Sequence, residues 1–368
     1  MKKNDDIHYM QRALDLARKG MGRTNPNPMV GAVIVKNGQI IAEGYHKKAG
    51  TPHAEIHALN AAGQDALFST IYVSLEPCSH HGRTPPCADA LVNAGIKRAV
   101  IASLDPNPQV SGRGLKILQD AGIETEVGVL EKEALKLNEV FFKYITSKRP
   151  FISLKTAVTL DGKIASWNGD SRWISNPASR KYVHNLRNVY DGIMVGIGTV
   201  LADDPMLNTR LDIDDKRDPL RIIIDGDLEL PLESKIVKSS REQKTLVFTS
   251  RINNHSKAAQ LQDAGIEIIE LGGNPQKLAV KKALEILGER EVCSILLEGG
   301  AELNAYMIEH KLINKVYWFI APKIIGGRNS PSPIAGQGIE LMDNALCLHN
   351  VDMQRIQDDI LITAYTGW

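Results

Sequence analysis

The chain has 368 residues and a formal net charge of +1. Single domains usually run to about 100–200 residues, so two domains are expected, and the interspersed charges exclude a global field that would draw the chain to nucleic acid or a membrane surface. No apolar run approaches the roughly 20 residues that span a bilayer, and the opening Met1-Lys2-Lys3-Asn4-Asp5-Asp6 does not read as a signal peptide, so a cytoplasmic location with reduced thiols is expected.

In chain order, Ile7, Met10, Ala13, Leu14 and Ala17 recur at helical spacing over 5–20, and Gly20 and Gly22 end that helix. Strand-like runs at 29–35 and 39–45 are joined by Asn37-Gly38, a hairpin signal. Helix 54–62, strand 70–75, helix 87–95, strand 97–103, helix 113–121 and strand 124–129 then alternate, which predicts an α/β sheet covered by helices. A closing helix over 131–146 places Ala134, Leu135, Leu137, Val140, Phe141 and Tyr144 on its apolar side. Pro150 cannot continue it, so the domain boundary is expected here, giving domains 1–147 and 148–368. Strands at 151–155, 192–195, 221–225, 245–248, 294–298 and 316–320 predict a second α/β domain.

The four cysteines are too few for a disulfide framework. Cys293 and Cys347 lie in apolar sequence and read as small buried hydrophobes. Cys78 and Cys87 join His53 as three zinc-type ligands, and three protein ligands leave the fourth position of a catalytic zinc open for water. Glu55, two residues after His53, supplies the unligated carboxylate of the zinc-deaminase pattern H-x-E followed by P-C-x-x-C, in which it moves protons. The first half of that pattern is met; in the second half eight residues, Ser79 to Pro86, separate the cysteines. If Glu55 and Cys87 each open a helix, the positive helix ends favour thiolate and metal there. A structural zinc completed by His80 or His81 stays open as an alternative. His57 reads as a packing or hydrogen-bonding residue of helix 54–62.

In the second half, Gly196-Ile197-Gly198 follows an apolar strand, and Glu298-Gly299-Gly300 makes a second strand, glycine turn and helix start. Two such turns suit a ligand with several phosphates, although glycines that only make tight turns would look the same. No G-x-G-x-x-G follows a strand, so the Rossmann reading fails.

Four segments, Thr24-Asn25-Pro26-Asn27-Pro28-Met29-Val30-Gly31-Ala32-Val33, Gly44-Tyr45-His46, His53-Ala54-Glu55 and Glu76 to Cys87 with its long insert, resemble the bifunctional deaminase/reductase family of riboflavin biosynthesis. Lys155 to Ala165, Asp191 to Pro205 and Leu297-Glu298-Gly299-Gly300 resemble the reductase half of the same family. The resemblance implies a cytidine-deaminase-like three-layer α/β/α domain followed by a dihydrofolate-reductase-like α/β domain. It implies zinc-dependent removal of the C2 amine from 2,5-diamino-6-(5-phosphoribosylamino)pyrimidin-4(3H)-one, then NADPH-dependent reduction of the ribosyl group to a ribitylamino product.

By the same resemblance, Zn2+ is held by His53, Cys78 and Cys87 with Glu55 catalytic, and Asn27, His46, His80 and Arg83 shape the pyrimidine and ribose-phosphate pocket. NADPH would touch Ala157, Trp173, Thr199, Asp203, Gly300, Ala301, Glu302, Leu303, Asn304, Ala305 and Tyr306. The phosphorylated pyrimidine would touch Ser171, Arg187, Leu207, Arg210 and Glu298, the arginines suiting its phosphate. Lys155 and Asp203 are candidates for protonating the opened sugar, and a homo-oligomer through the reductase domain is expected. Two other functional classes fit the sequence less well. A nucleic-acid base deaminase would need a basic or aromatic track, against the near-zero charge and 5% aromatic content. A zinc-stabilised nucleotide sensor would have no use for Glu55 beside an open metal position.

Overall fold

The computed structural model describes residues 2–79, 86–107, 111–274 and 279–367. The chain divides into two compact units, Met1–Lys148 and Arg149–Trp368.

The first unit runs α1 (Lys2–Arg18), β1 (Gly31–Lys36), β2 (Gln39–Tyr45), α2 (Ala54–Ala62), β3 (Thr70–Val73), α3 (Cys87–Asn93), β4 (Arg98–Ile101), α4 (Arg113–Asp120), β5 (Glu124–Val127), α5 (Glu131–Leu137) and α6 (Glu139–Ser147). Its strands form one sheet in the order β2-β1-β3-β4-β5, in which β1 is antiparallel to both neighbours and β3, β4 and β5 are parallel. Alternation along β1 fills both faces. Ala32 and Ile34 pack with Ala54, Ala58, Leu91 and Leu118 of three helices, while Val33 and Val35 pack with Met10, Ala13 and Leu14 of α1. Three α/β/α layers result, as expected. Two glycines set the close approach: a Cβ at Gly31 would meet Ala13 O at 2.0 Å, and one at Gly44 would meet Ala54 O at 2.3 Å.

The closing helix departs from the expectation. It is two helices parted at Asn138, whose buried side chain accepts a hydrogen bond from Met29 N at 2.8 Å and donates to Met29 O at 2.9 Å. Leu135, placed on the apolar side by periodicity, is exposed, as is Ile7 of α1.

The second unit runs β6 (Phe151–Thr159), α7 (Pro177–Val189), β7 (Gly192–Gly196), α8 (Ile197–Asp203), β8 (Leu220–Ile224), α9 (Lys235–Lys238), β9 (Thr245–Thr249), α10 (His255–Asp263), β10 (Ile266–Glu270), α11 (Val280–Glu289), β11 (Ser294–Leu297), α12 (Ala301–Glu309), β12 (Lys315–Ala321), β13 (His349–Ile356) and β14 (Asp359–Tyr365). One sheet has the order β10-β9-β8-β7-β11-β6-β12-β14-β13. It is parallel from β10 to β12 and closes with the antiparallel pairs β12–β14 and β14–β13. Helices cover both faces: Met194 packs with Leu284, Leu287 and Met307, while Ile193 and Val195 pack with Ile236 and Leu261. Cys293 is buried as expected, but Cys347 is exposed. Among the described residues, no helix is long and apolar enough to cross a membrane.

Candidate active sites

The first unit gathers its chemistry where two helices begin. His53 is the residue before α2, and Cys87 is the first residue of α3. His53 Nδ1 lies 3.3 Å from Cys87 Sγ and 3.5 Å from Cys78 Sγ, and the three ligand atoms lie within 4.8 Å of one another. With Zn–S bonds of about 2.3 Å and Zn–N of about 2.0 Å, a tetrahedral ion separates its nitrogen and sulfur ligands by about 3.5 Å. The spacing and the one-nitrogen, two-sulfur donor set therefore fit zinc. His80, His81 and Arg83 lie outside the described residues.

The electrostatics prepare the thiols for a cation. Contact with the Cys87 thiol, together with His53 and the Cys87 N–H at 3.3 Å from Cys78 Sγ, brings the Cys78 thiol down to about 4. Cys87 is pushed up, by sharing a proton with Cys78 and by burial. Binding of a dication by His53, Cys78 and Cys87 would release that shared proton. His53 is raised through its hydrogen bond to Cys78.

Glu55, in the first turn of α2, is 3% exposed. Burial pushes its carboxyl up to about 7 against the pull of His53, close to the range in which a side chain both takes and gives protons at neutral pH.

Behind the ligands, His46 is buried and meets the His53 ring edge-on at a centroid distance of 5.4 Å. Its Nδ1 lies 3.2 Å from Pro52 O and its Nε2 3.2 Å from Asn27 Nδ2. Burial lowers its pKa, so the neutral ring donates to Pro52 and accepts from Asn27. This arrangement links Asn27 to the metal cluster and makes His46 a support beneath His53. His57 Nε2 is buried without a hydrogen-bond partner among the described residues, so of the two roles expected for His57, packing is the one observed.

In the second unit, residues from three adjacent strands converge at the level where β7 and β11 end, and open α/β sheets bind ligands at such carboxyl ends. Lys155 comes from β6, Gly196 ends β7 and Glu298 follows β11. Glu298 accepts from Arg187 Nε at 2.7 Å and Nη2 at 3.0 Å, and Lys155 Nζ lies 3.5 Å away. Burial would raise this carboxyl, but Arg187 and Lys155 together hold it at about 2. The forked face of Arg187 is thus turned to Glu298, and its Nη1 donates to Asn208 O at 3.0 Å.

Arg210 is exposed nearby. Its main-chain N–H donates to His184 Nδ1 at 3.2 Å, and its Nε lies 3.2 Å from the other ring nitrogen. Burial, then Arg187 and Arg210, lowers His184 to about 4, so the ring is neutral near pH 7. Arg180, His184 and Arg187 share one face of α7, spaced as a helix requires. Sequence reasoning missed His184 and Arg180, for which that spacing was the available signal.

The glycine turns fit a pyrophosphate. Gly196 leads into α8 and Gly300 into α12, two helix N-termini side by side because β7 pairs with β11. A Cβ at Gly300 would come within 3.2 Å of Thr199 Oγ1, while Gly198 faces open space. Asp203, at the end of α8, lies 3.5 Å from Ser171 Oγ and accepts from Arg172 Nη2 through its carbonyl. Trp173 is exposed beneath the Arg180 guanidinium, 4.6 Å from its ring centroid.

Several expected contact residues turn inward. Leu303, Asn304 and Ala305 are buried, and Asn304 Nδ2 donates to Gly299 O and Pro333 O. That leaves Ala301, exposed Glu302 and half-buried Tyr306, whose ring stacks on His310. Leu207 packs in the core. Ala157 is half-buried against the cluster formed by α7 and β12.

Known proteins agree with this geometry. Residues 3–103 match the cytidine and deoxycytidylate deaminase zinc-binding region, and residues 150–362 match the RibD C-terminal domain. The riboflavin biosynthesis protein RibD of Actinobacillus pleuropneumoniae is 44% identical over 97% of this chain and 94% of its own length. The chain belongs to the RibD family. The RibD protein of Aquifex aeolicus is 45% identical, with 97% of both chains covered. The solved RibD of Acinetobacter baumannii superposes with a TM-score of 0.88 at 37% identity over 100% of both chains. The solved diaminohydroxyphosphoribosylaminopyrimidine deaminase/5-amino-6-(5-phosphoribosylamino)uracil reductase of Thermotoga maritima does so with 0.88 at 38%, again over 100% of both. As a RibD protein the chain is a deaminase and a reductase of riboflavin biosynthesis, with zinc and NADPH as cofactors.

Proposed function

We propose that the first unit deaminates 2,5-diamino-6-(5-phosphoribosylamino)pyrimidin-4(3H)-one at C2, and that the second reduces the ribosyl group of the resulting 5-amino-6-(5-phosphoribosylamino)uracil. The observation that carries this reading is the buried Glu55 carboxyl, pushed up to about 7, beside the His53, Cys78 and Cys87 cluster. Zinc held by those three residues supplies Lewis acidity that activates water near neutral pH. Glu55 takes one proton from water as the water oxygen bonds C2 and delivers it to the ring nitrogen. It then takes the second proton from the resulting hydroxyl and passes it to the amine, which leaves as ammonia as the C2–N bond breaks and C2 becomes a carbonyl. Asn27, held through His46, orients the pyrimidine.

In the second unit, NADPH supplies hydride. The N-termini of α8 and α12, with Thr199, Ala301 and Glu302, hold its pyrophosphate side. Arg210 offers a guanidinium for the substrate phosphate. Lys155, anchored by Glu298, gives its proton to the ribose ring oxygen as the C1′–O bond breaks and hydride reaches C1′.

The substrate is a small phosphorylated pyrimidine, in keeping with a net charge of +1. The free thiols of Cys78 and Cys87 suit the cytoplasm. Two copies pair through the second unit, where edge strand β13 exposes Val351 and Met353 on one side.

The test is replacement of Glu55 by Gln in the zinc-loaded chain. Retained zinc with ammonia release lowered at least about a thousandfold is expected; ammonia release within threefold of the unaltered chain would refute the assignment.

A further inference from the structure

The carboxylate of Glu76, two residues before a metal ligand, is 4% exposed and faces four main-chain donors. Its Oε2 accepts from Asp105 N at 3.2 Å and Gly112 N at 3.0 Å. Its Oε1 accepts from Gly114 N at 2.9 Å and Leu115 N at 3.2 Å. A carboxylate offers about four lone-pair positions, and here each has its own donor. The last two donors belong to the first turn of α4, where negative charge is favoured.

The same contacts fix the main chain on both sides of Cys78. Upstream, Glu76 N donates to Ser103 O at 3.0 Å. Pro77 follows and fixes one backbone torsion. Its carbonyl lies so close to α4 that a Cβ at Gly114 would sit 1.9 Å from it. Downstream, Cys78 O accepts from Ala88 N at 3.2 Å and Cys78 Sγ accepts from Cys87 N at 3.3 Å. Cys78 is therefore strung between two anchors, α4 through Glu76 and α3 through Ala88. The deaminase chemistry uses Cys78 and leaves Glu76 without a task.

We propose that Glu76 is a positioning residue of the metal centre, holding the Pro77-Cys78 segment so that the Cys78 sulfur is presented to zinc at a fixed place. The proposal rests on the zinc reading of His53, Cys78 and Cys87. Carboxylate geometry is what the position demands. Gln would keep one acceptor oxygen and turn an NH2 group toward two of the four N–H donors. Asp would keep the charge but fall one methylene short of α4.

The experiment compares the zinc-loaded full-length chain with its Glu76→Gln and Glu76→Asp variants. Three quantities are read: the rate of zinc transfer to a competing chelator, the thiolate-to-metal absorption of the cobalt-substituted chains, and ammonia release beside reduction of supplied deaminated intermediate. Loss of a group that orients a metal ligand typically costs about 10–100-fold in affinity or activity. Glu76→Gln is therefore expected to lose zinc about 10–100-fold faster, with a shifted cobalt spectrum and ammonia release reduced to match, while reduction is unchanged. Glu76→Asp is expected to fall between.

Native chelation kinetics and a native cobalt spectrum in Glu76→Gln would overturn the proposal, even with a lowered melting temperature, because they would assign Glu76 to folding alone. A first unit that fails to fold in both variants with zinc present would overturn it in the same way. If the unaltered chain bound no zinc, the zinc reading would fall and the proposal with it; normal zinc binding in all three chains would sink the proposal alone.

Discussion

Arg187 grips Glu298 through two hydrogen bonds, Nε at 2.7 Å and Nη2 at 3.0 Å, across 111 residues of sequence. Helix α7 supplies the guanidinium, and the turn after β11 supplies the carboxylate. The pair has side-chain exposures of only 12% and 9%. It fixes the turn ahead of Gly299-Gly300, and it holds Lys155 beside the space where a substrate would lie.

Removing one partner should cost more than removing both. Arg187→Ala leaves a buried carboxylate with Lys155 alone, and breaking a buried ion pair in this way typically costs about 3–5 kcal/mol. Denaturant unfolding of the second unit should show that loss, with a smaller one in the Arg187→Met/Glu298→Gln double variant. Ammonia release by the first unit should be unaffected. Equal losses in the single and double variants would show that the pairing is not what matters.

The second unit should be acid-sensitive in two stages. His184 is lowered to about 4 from its ordinary 6.5, so the unfolded chain takes up a proton that the folded one refuses. Its contribution is complete above about 6.5 and is lost as pH falls toward 4. Glu298 is lowered from 4.5 to about 2, so its contribution holds above about 4.5 and is lost as pH falls from there to 2. Melting temperatures measured at closely spaced pH values should decline through both windows. His184→Asn should flatten the first and leave the second; an unchanged first stage would exclude His184 as its source.

Asn138 should matter to the first unit only. Its side chain satisfies both main-chain groups of Met29 from a site 1% exposed. Asn138→Ala would strand the donor and acceptor of half-buried Met29, at about 1–3 kcal/mol. Met29 lies two residues from Asn27, so ammonia release should fall by a rise in KM, with reduction of supplied intermediate intact. Equal effects on the two activities would contradict this account.

How far the sequence reaches can be judged from particular residues. Helix α2 was legible to the residue, because His53-Ala54-Glu55 marks its start and Gly63 its end. The β1–β2 hairpin was legible because Asn37-Gly38 takes positive φ at both positions. The break at Asn138 was not, since apolar spacing runs on through it and the bonds that cause it reach 109 residues back. Strand β13 was unread because both its faces are exposed over 349–355, which leaves no alternation. In the metal cluster, local motifs named His53, Cys78 and Cys87, the three residues that the fold brings together among those described. In the second unit the family resemblance named Arg187 and Glu298 as substrate contacts but not that each is the other's partner, because side-chain pairing between distant elements leaves no local signal.

NADPH oxidation by Glu55→Gln on two substrates measures directly whether one chain carries two chemically independent sites. Supplied with the deaminated intermediate, the variant should oxidise NADPH at the rate of the unaltered chain. Supplied with the diamino substrate, it should oxidise none, because no intermediate forms. Loss of NADPH oxidation on both substrates, in a folded zinc-loaded chain, would contradict the account.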